Sequence, residues 1–291
     1  MKTALITGHR GFIGTQTGMA LDRAGYRVTC VDVRDGTDAR DYFRYTSDHF
    51  DAVVHCAAVV GGRRVMDWTP IRHAANLAID AALFEWAERT RPGRVVYFSS
   101  SCAYPVAFGQ HGRLLREDWI SWPPNTGYSS MWPDKLYGWA KLTGELMAAT
   151  AAEAGVPVSV VRPFSVYGPR MNEGFAVRGF LEQVRRRADP VVIWGDAGQV
   201  RDYIHVDDVA GAVLAILEQG ADGPVNLGTG RRTSLRVLAS LMIEFAGYSA
   251  GIQVDGDMPA GVPSLVADTT RLHGIYKPQI VLEDYLAGVL G

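Results

Sequence analysis

Thr3-Ala-Leu-Ile-Thr-Gly8-His-Arg-Gly11-Phe-Ile-Gly14 opens the chain with a short apolar run that ends in three spaced glycines. The run has the length of a buried strand, and a helical pattern follows it to about Ala24. A second apolar run, Tyr26 to Val33, carries Asp32 at its tip. A glycine triplet alone says little. Between a strand and a helix, with an acid ending the next strand, it reads as a dinucleotide-binding loop. Gly8 permits the tight turn, Gly11 lets a pyrophosphate approach the backbone, and Gly14 lets helix and strand pack closely. The helix start at Phe12 and Ile13 offers N–H donors and a positive dipole end.

A carboxylate at Asp32 can accept both ribose hydroxyls and repels a 2′-phosphate, which favours NAD over NADP. Arg10 and Arg34 are the nearby groups able to pair with such a phosphate instead. Asp38 and Ala39 begin the next segment, where a carboxylate and a backbone group can meet the adenine amino group.

Further apolar runs at 52–58, 94–99 and 158–162 alternate with helical patterns near 72–89 and 133–154. That alternation predicts an α/β fold, a Rossmann-type doubly wound parallel sheet. After Arg162 the elements shorten: helices near 176–188, 207–218 and 234–246, and strands at 191–194 and 225–227. We expect residues 1–162 to form the NAD-binding domain. Residues 163–291 are then a small C-terminal substrate lobe that shares some elements with the sheet. Ligands bind at the carboxyl edge of such sheets.

The chain has 291 residues, a net charge of −2 and 47% hydrophobic residues, a globular composition. The balanced charge predicts no nucleic-acid partner. No apolar run approaches the roughly 20 residues of a membrane helix, and Met1-Lys2 leads straight into a strand rather than a signal peptide. The three cysteines, Cys30, Cys56 and Cys102, form no disulfide framework and no zinc spacing, which suits a reducing cytoplasm.

Tyr137 and Lys141 lie four apart on one helix, and so on one face. A lysine beside a phenol is expected to favour the phenolate. Ser99-Ser100-Ser101 closes the fourth strand at the ligand edge. A serine there can hold a reacting oxygen while the tyrosine moves its proton.

These pieces resemble the extended short-chain dehydrogenase/reductases that act on nucleotide sugars. The resemblance rests on Thr7–Gly14, His55-Cys-Ala-Ala58, Tyr97-Phe-Ser-Ser-Ser101, Tyr137 with Lys141, Arg162-Pro-Phe-Ser-Val-Tyr-Gly-Pro169, Arg201–Asp208, Asn226–Gly230 and Ala267–Leu272, in family order. It implies Tyr137 as acid/base, Lys141 on the nicotinamide ribose, and Ser100 as the catalytic serine. It places Ala57, Ala58, Asn76, Ser99 and Pro163 around NAD. Arg201 would clamp a nucleotide diphosphate, with Asn172 and Ser264 also at substrate positions. The implied substrate is a nucleotide-diphosphate sugar. The implied assembly is a homodimer, with the helices near 72–89 and 133–154 pairing with their copies.

The stretches Gly8–Gly11, Ala57–Gly62, Ser100–Pro105 and Pro263–Leu272 are similar to GDP-fucose synthases and GDP-mannose 3,5-epimerases. That likeness implies Cys102 as a base beside the sugar, since a C4 ketone acidifies its neighbouring C–H groups. The alternative for Cys102 is a small buried residue. The chain departs from those epimerases at Gly174, where they carry His or Lys, and at Ser264, where an arginine is frequent. The resulting expectation is an NAD-dependent nucleotide-sugar epimerase working through a 4-keto sugar. A reductase, dehydrogenase or 4,6-dehydratase of the same family is the alternative, and a non-catalytic dinucleotide sensor is the outside one. Trp119, Trp122, Trp132 and Trp139 offer flat surfaces for a base, a sugar, loop packing or a dimer. His111, His205 and His273 have no metal spacing.

Overall fold

The computed structural model describes residues 1–110, 112–121 and 132–291. His111 and Trp122 therefore lie outside the described residues.

The first half runs β1 (Thr3–Thr7), α1 (Phe12–Arg23), β2 (Arg27–Val31), α2 (Ala39–Tyr45), β3 (Ala52–His55), α3 (Arg63–Trp68), α4 (Ala75–Thr90), β4 (Val95–Phe98), α5 (Val106–Gln110), α6 (Lys135–Glu153) and β5 (Val158–Pro163). The second half continues β6 (Ser165–Tyr167), α7 (Ala176–Arg185), β7 (Val191–Trp194), β8 (Val200–Arg201), β9 (Tyr203–His205), α8 (Val206–Gln219), β10 (Gly223–Leu227), β11 (Thr233–Ser234), α9 (Leu235–Phe245), β12 (Ile252–Asp255) and β13 (Ser264–Leu265).

Among the described residues the main sheet has six strands in the order β10-β5-β4-β3-β1-β2, every neighbouring pair parallel. Strands buried on both faces need apolar residues at successive positions. Leu5, Val53, Val95 and Val160 face one layer, with Phe43, Leu83, Phe84 and Trp86. Ala4, Ile6, Val54, Val96 and Val161 face the other, with Leu21, Val209, Val213 and Ile216. Each Val, Leu, Ile or Phe among them, fully buried, contributes about 1.5–3 kcal/mol relative to exposure. The fold is thus Rossmann-like. The order turns at β1, which pairs with β2 on one side and β3 on the other. A crevice opens outside the carboxyl ends of the strands at such a point.

The strand at 225–227 is one of the elements of the second half that the sheet shares. It is part of β10, the outermost strand of the main sheet beside β5, and α8 covers the sheet against α1. The reason is that β5 would otherwise leave an edge open. What remains for the lobe is α7, α9, the β7–β12 pair and the small β11-β8-β13 sheet, around a core of Phe180, Leu181, Ile193, Leu238 and Met242.

Candidate active site

A cavity of about 870 Å³ joins the two halves. Its sheet side is lined by Gly8, Gly11, Phe12, Ile13, Gly14, Asp32, Asp38, Ala39, Ala57, Ala58, Ser99 and Pro163. Ser100, Cys102, Tyr137 and Lys141 line it too, as do Asn172, Trp194 and Arg201 from the second half.

The glycine loop has little room to vary. Gly8 adopts φ +71°, and a Cβ there would sit 2.7 Å from the Ala57 nitrogen. A Cβ on Gly14 would overlap the Gly8 carbonyl. The start of α1 has no side-chain cap and no acid in its first turn, so its N–H groups and dipole are left to an anion. Asp32 is 7% exposed. Its Oδ2 accepts the Arg10 N–H at 3.0 Å and its Oδ1 accepts the Arg34 N–H at 2.9 Å. Each oxygen keeps a lone pair for a further donor. A cradle of this shape beside a buried carboxylate fits NAD.

Some expected contacts lie one layer back. The Arg10 side chain is paired with Asp35, and Arg34 Nη1 donates to the Arg10 carbonyl at 3.0 Å. Neither guanidinium is free beside Asp32. Asn76 is fully buried behind the wall. Its Oδ1 accepts the Val59 N–H at 2.7 Å and its Nδ2 donates to the Val59 carbonyl at 3.0 Å. Asn76 thereby shapes the cavity-lining loop after β3 rather than lining the cavity. Ser264 is buried with an unpartnered hydroxyl and also stands off the lining. The Ser99 hydroxyl is taken by Glu145.

Burial pushes the Tyr137 phenol well above the ordinary value, and Cys102 and Asp80 add to this while Ser100 opposes it. Lys141 is the cation that opposes this rise, and its charge is shared: its ammonium lies 3.8 Å from Asp80 and 4.9 Å above the Tyr97 ring. Burial likewise pushes the Cys102 thiol up to about 11, with Asp134 adding to the rise and Ser100, Arg63 and Arg201 opposing it. The resting thiol is therefore protonated.

Arg201 makes no ion pair among the described residues. It donates to the Val200 and Val262 carbonyls at 2.8 Å each and to Gln199 Oε1 at 2.9 Å. Burial lowers its pKa. A desolvated guanidinium on the cavity wall is suited to an anion. Gly174, at φ +83°, lies against Gly62, whose Cβ would overlap the Gly174 carbonyl. A side chain at 174 would strain the backbone, so the His or Lys of the 3,5-epimerases has no place there. Of the roles open to the tryptophans, the described ones take packing. Trp119 packs on Phe108 at 5.0 Å and Trp132 on Trp139 at 5.9 Å, away from the cavity. The tryptophan on the cavity wall is Trp194, and sequence reasoning missed it. His205 caps α8 and packs on Tyr167.

Asp80, Glu145 and the Arg63–Asp134 pair were also missed. A signal existed: Asp80 and Glu145 sit on apolar stripes of α4 and α6, where an unpaired charge is costly.

The profile of the NAD dependent epimerase/dehydratase family matches residues 4–228. The chain is 29% identical to dTDP-4-dehydro-6-deoxy-D-allose reductase of Streptomyces bikiniensis, over 96% of this chain and 92% of that one. It is 27% identical to GDP-L-fucose synthase of Escherichia coli K12, over 98% and 94%. The solved structure of MoeE5 in complex with UDP-glucose and NAD superposes with a TM-score of 0.82 at 25% identity, over 99% and 97%. No helix among the described residues is long and apolar enough to cross a membrane. The chain belongs to the NAD-dependent epimerase/dehydratase family of nucleotide-sugar enzymes.

Proposed function

We propose that this protein is an NAD-dependent nucleotide-sugar epimerase working through a transient 4-keto sugar. One observation carries the reading: Ser100, Cys102, Tyr137 and Lys141 share a cavity with the glycine loop and Asp32. The loop residues Gly8 to Gly14 hold the pyrophosphate of NAD, with Arg10 tying the loop to Asp32 through its backbone N–H. Asp32 takes the adenosine ribose, and Asp38 and Ala39 meet the adenine. Ala57, Ala58, Ser99 and Pro163 enclose the nicotinamide half, which Asn76 supports through Val59. Bound NAD supplies a hydride acceptor that later serves as donor.

The chain's own groups handle protons and position. Ser100 holds the C4 oxygen, Tyr137 takes its proton and returns it, and Lys141 orients the nearby ribose. Arg201 takes the nucleotide diphosphate, with Asn172 beside the sugar and Trp194 offering a face to the base. Cys102 stands where it can act on a proton next to the ketone. The partner is a nucleotide-diphosphate sugar. The assembly is a homodimer through α4 and α6, and on α6 Trp139 and Leu146 are exposed at 37% and 43%. The free thiols of Cys30, Cys56 and Cys102 suit the cytoplasm.

A second reading is a net reductase. The protonated Cys102 thiol and the reductase name of the S. bikiniensis relative favour it. A panel of nucleotide sugars in deuterated water, read by NMR, separates these readings. Inversion with deuterium at C3 or C5 supports epimerisation through Cys102, and inversion at C4 without exchange supports epimerisation with Cys102 as packing. Stoichiometric NADH loss with a 4-keto sugar supports the reductase. Full activity in Tyr137→Phe would sink both.

A further inference from the structure

Lys141 is held from behind. Tyr97 Oη donates at 2.6 Å to Asp80 Oδ2, the oxygen that faces the Lys141 ammonium. Asp80 Oδ1 faces His55 Nε2 at 3.4 Å, and His55 Nδ1 meets Thr7 Oγ1 at 2.8 Å. Thr7, His55, Asp80, Tyr97 and Lys141 are all at most 2% exposed.

Burying a carboxylate costs several kcal/mol unless a cation and hydrogen bonds offset it. Burial keeps His55 neutral, so Lys141 is the cation that Asp80 faces. Burial also opposes ionisation of Asp80, yet Lys141, His55 and Tyr97 hold its carboxyl below the ordinary range. The helix approach is tuned to this contact: a Cβ at Gly144 would overlap Tyr97 Oη and lie 2.9 Å from Asp80 Oδ2.

We propose that Asp80 is a positioning residue of the active site, a fixed buried anion that seats the Lys141 ammonium against the Tyr97 ring and divides its charge with the phenol of Tyr137. This rests on the reading of Tyr137 as the acid/base. The groups around Tyr137 are His73, whose ring lies 5.1 Å away, Cys102, Asp80, Tyr97 and Lys141. Burial keeps Cys102 and Tyr97 protonated, so Asp80 is the anion of the set. Its field adds to burial in raising the Tyr137 phenol, and the Lys141 ammonium works against both to give the phenolate that takes the C4 hydroxyl proton.

The test follows tyrosinate absorbance of the NAD-bound protein with rising pH, with Tyr137→Phe subtracted to assign the Tyr137 transition. Asp80→Asn removes the charge and keeps an acceptor for Tyr97. It is expected to move the transition down by about one pH unit or more, or to bring it into range where the parent shows none. Lys141→Met is expected to move it up. Asp80→Ser, a smaller neutral variant, is the second arm, and NAD binding verifies the fold of each. An unmoved transition overturns the role of Asp80, and so does loss of NAD binding by both neutral variants, which would make Asp80 a requirement of the fold. Full turnover by Tyr137→Phe overturns instead the acid/base reading beneath it.

Discussion

The Arg162 guanidinium grips the Glu145 carboxylate twice, Nε to Oε1 at 2.8 Å and Nη2 to Oε2 at 2.6 Å, and neither side chain reaches solvent. Arg162 also donates from Nη1 to Tyr104 Oη at 2.9 Å, and Tyr104 donates to Asn226 at 2.8 Å. The pair thus ties α6 to β5 and onward to β10. Removing one partner strands a buried charge. Glu145→Ala should cost about 3–5 kcal/mol in urea denaturation. Glu145→Leu with Arg162→Met should recover most of that. Glu145 also takes the Ser99 hydroxyl, beside Ser100, so the single variant should lose turnover as well.

Asp32 has two duties, and they predict two effects. Its carboxylate holds the Arg10 and Arg34 backbone N–H groups and leaves lone pairs toward the cavity. Asp32→Ala should weaken NAD binding at least tenfold, about 1.4 kcal/mol for the lost charge-assisted contacts. It should also shift the NAD-to-NADP affinity ratio toward NADP, because the repelling charge is gone. Cofactor titrations by intrinsic fluorescence read both numbers.

Alkaline pH should loosen the fold through its thiols. Burial raises Cys102 from an ordinary 9.0 to about 11 and Cys56 from 9.0 to about 12. An acid whose folded pKa lies above its unfolded one favours the folded state only while protonated. Their contribution is therefore full below pH 9 and is lost as the pH rises toward 11 and 12. Urea midpoints should fall across that window, and Cys102→Ala should flatten the slope.

Gly14→Ala places a methyl into the Gly8 carbonyl. Overpacking of this kind costs about 1–3 kcal/mol. Because the same carbonyl organises the loop, NAD affinity should fall with the thermal midpoint. Gly36→Ala serves as the contrast: it also has a left-handed φ, +84°, but meets nothing within 4 Å, so it should carry backbone strain without loss of NAD binding.

The sheet half of this molecule was legible because its signals are local. Gly8, Gly14 and Asp32 lie on contiguous β-α-β chain, and Tyr137 and Lys141 are one helical turn apart. The parts that the sequence leaves open depend on distant chain. Nothing local to 225–227 says which elements the sheet shares, because the hydrogen-bond partner of β10 is β5, some sixty residues earlier. The spacing of Tyr137 and Lys141 shows one helix, while Asp80, the carboxylate that shares the Lys141 charge, arrives from another. Trp194 became a cavity residue only when β7 was carried across the crevice, whereas Trp119 and Trp139 found partners on nearby chain.

The return of the chain to supply β10 and α8 limits how the protein can be taken apart. A fragment ending at Arg162 would leave β5 as a raw edge and uncover the face of α1 that α8 protects. Such a piece would aggregate through that edge rather than fold as a free-standing cofactor binder. Exchanging sugar specificity between relatives by swapping everything after β5 would therefore break the sheet. The transplantable material is the two inserts on either side of it: the β6-to-β9 passage and the chain beyond β10.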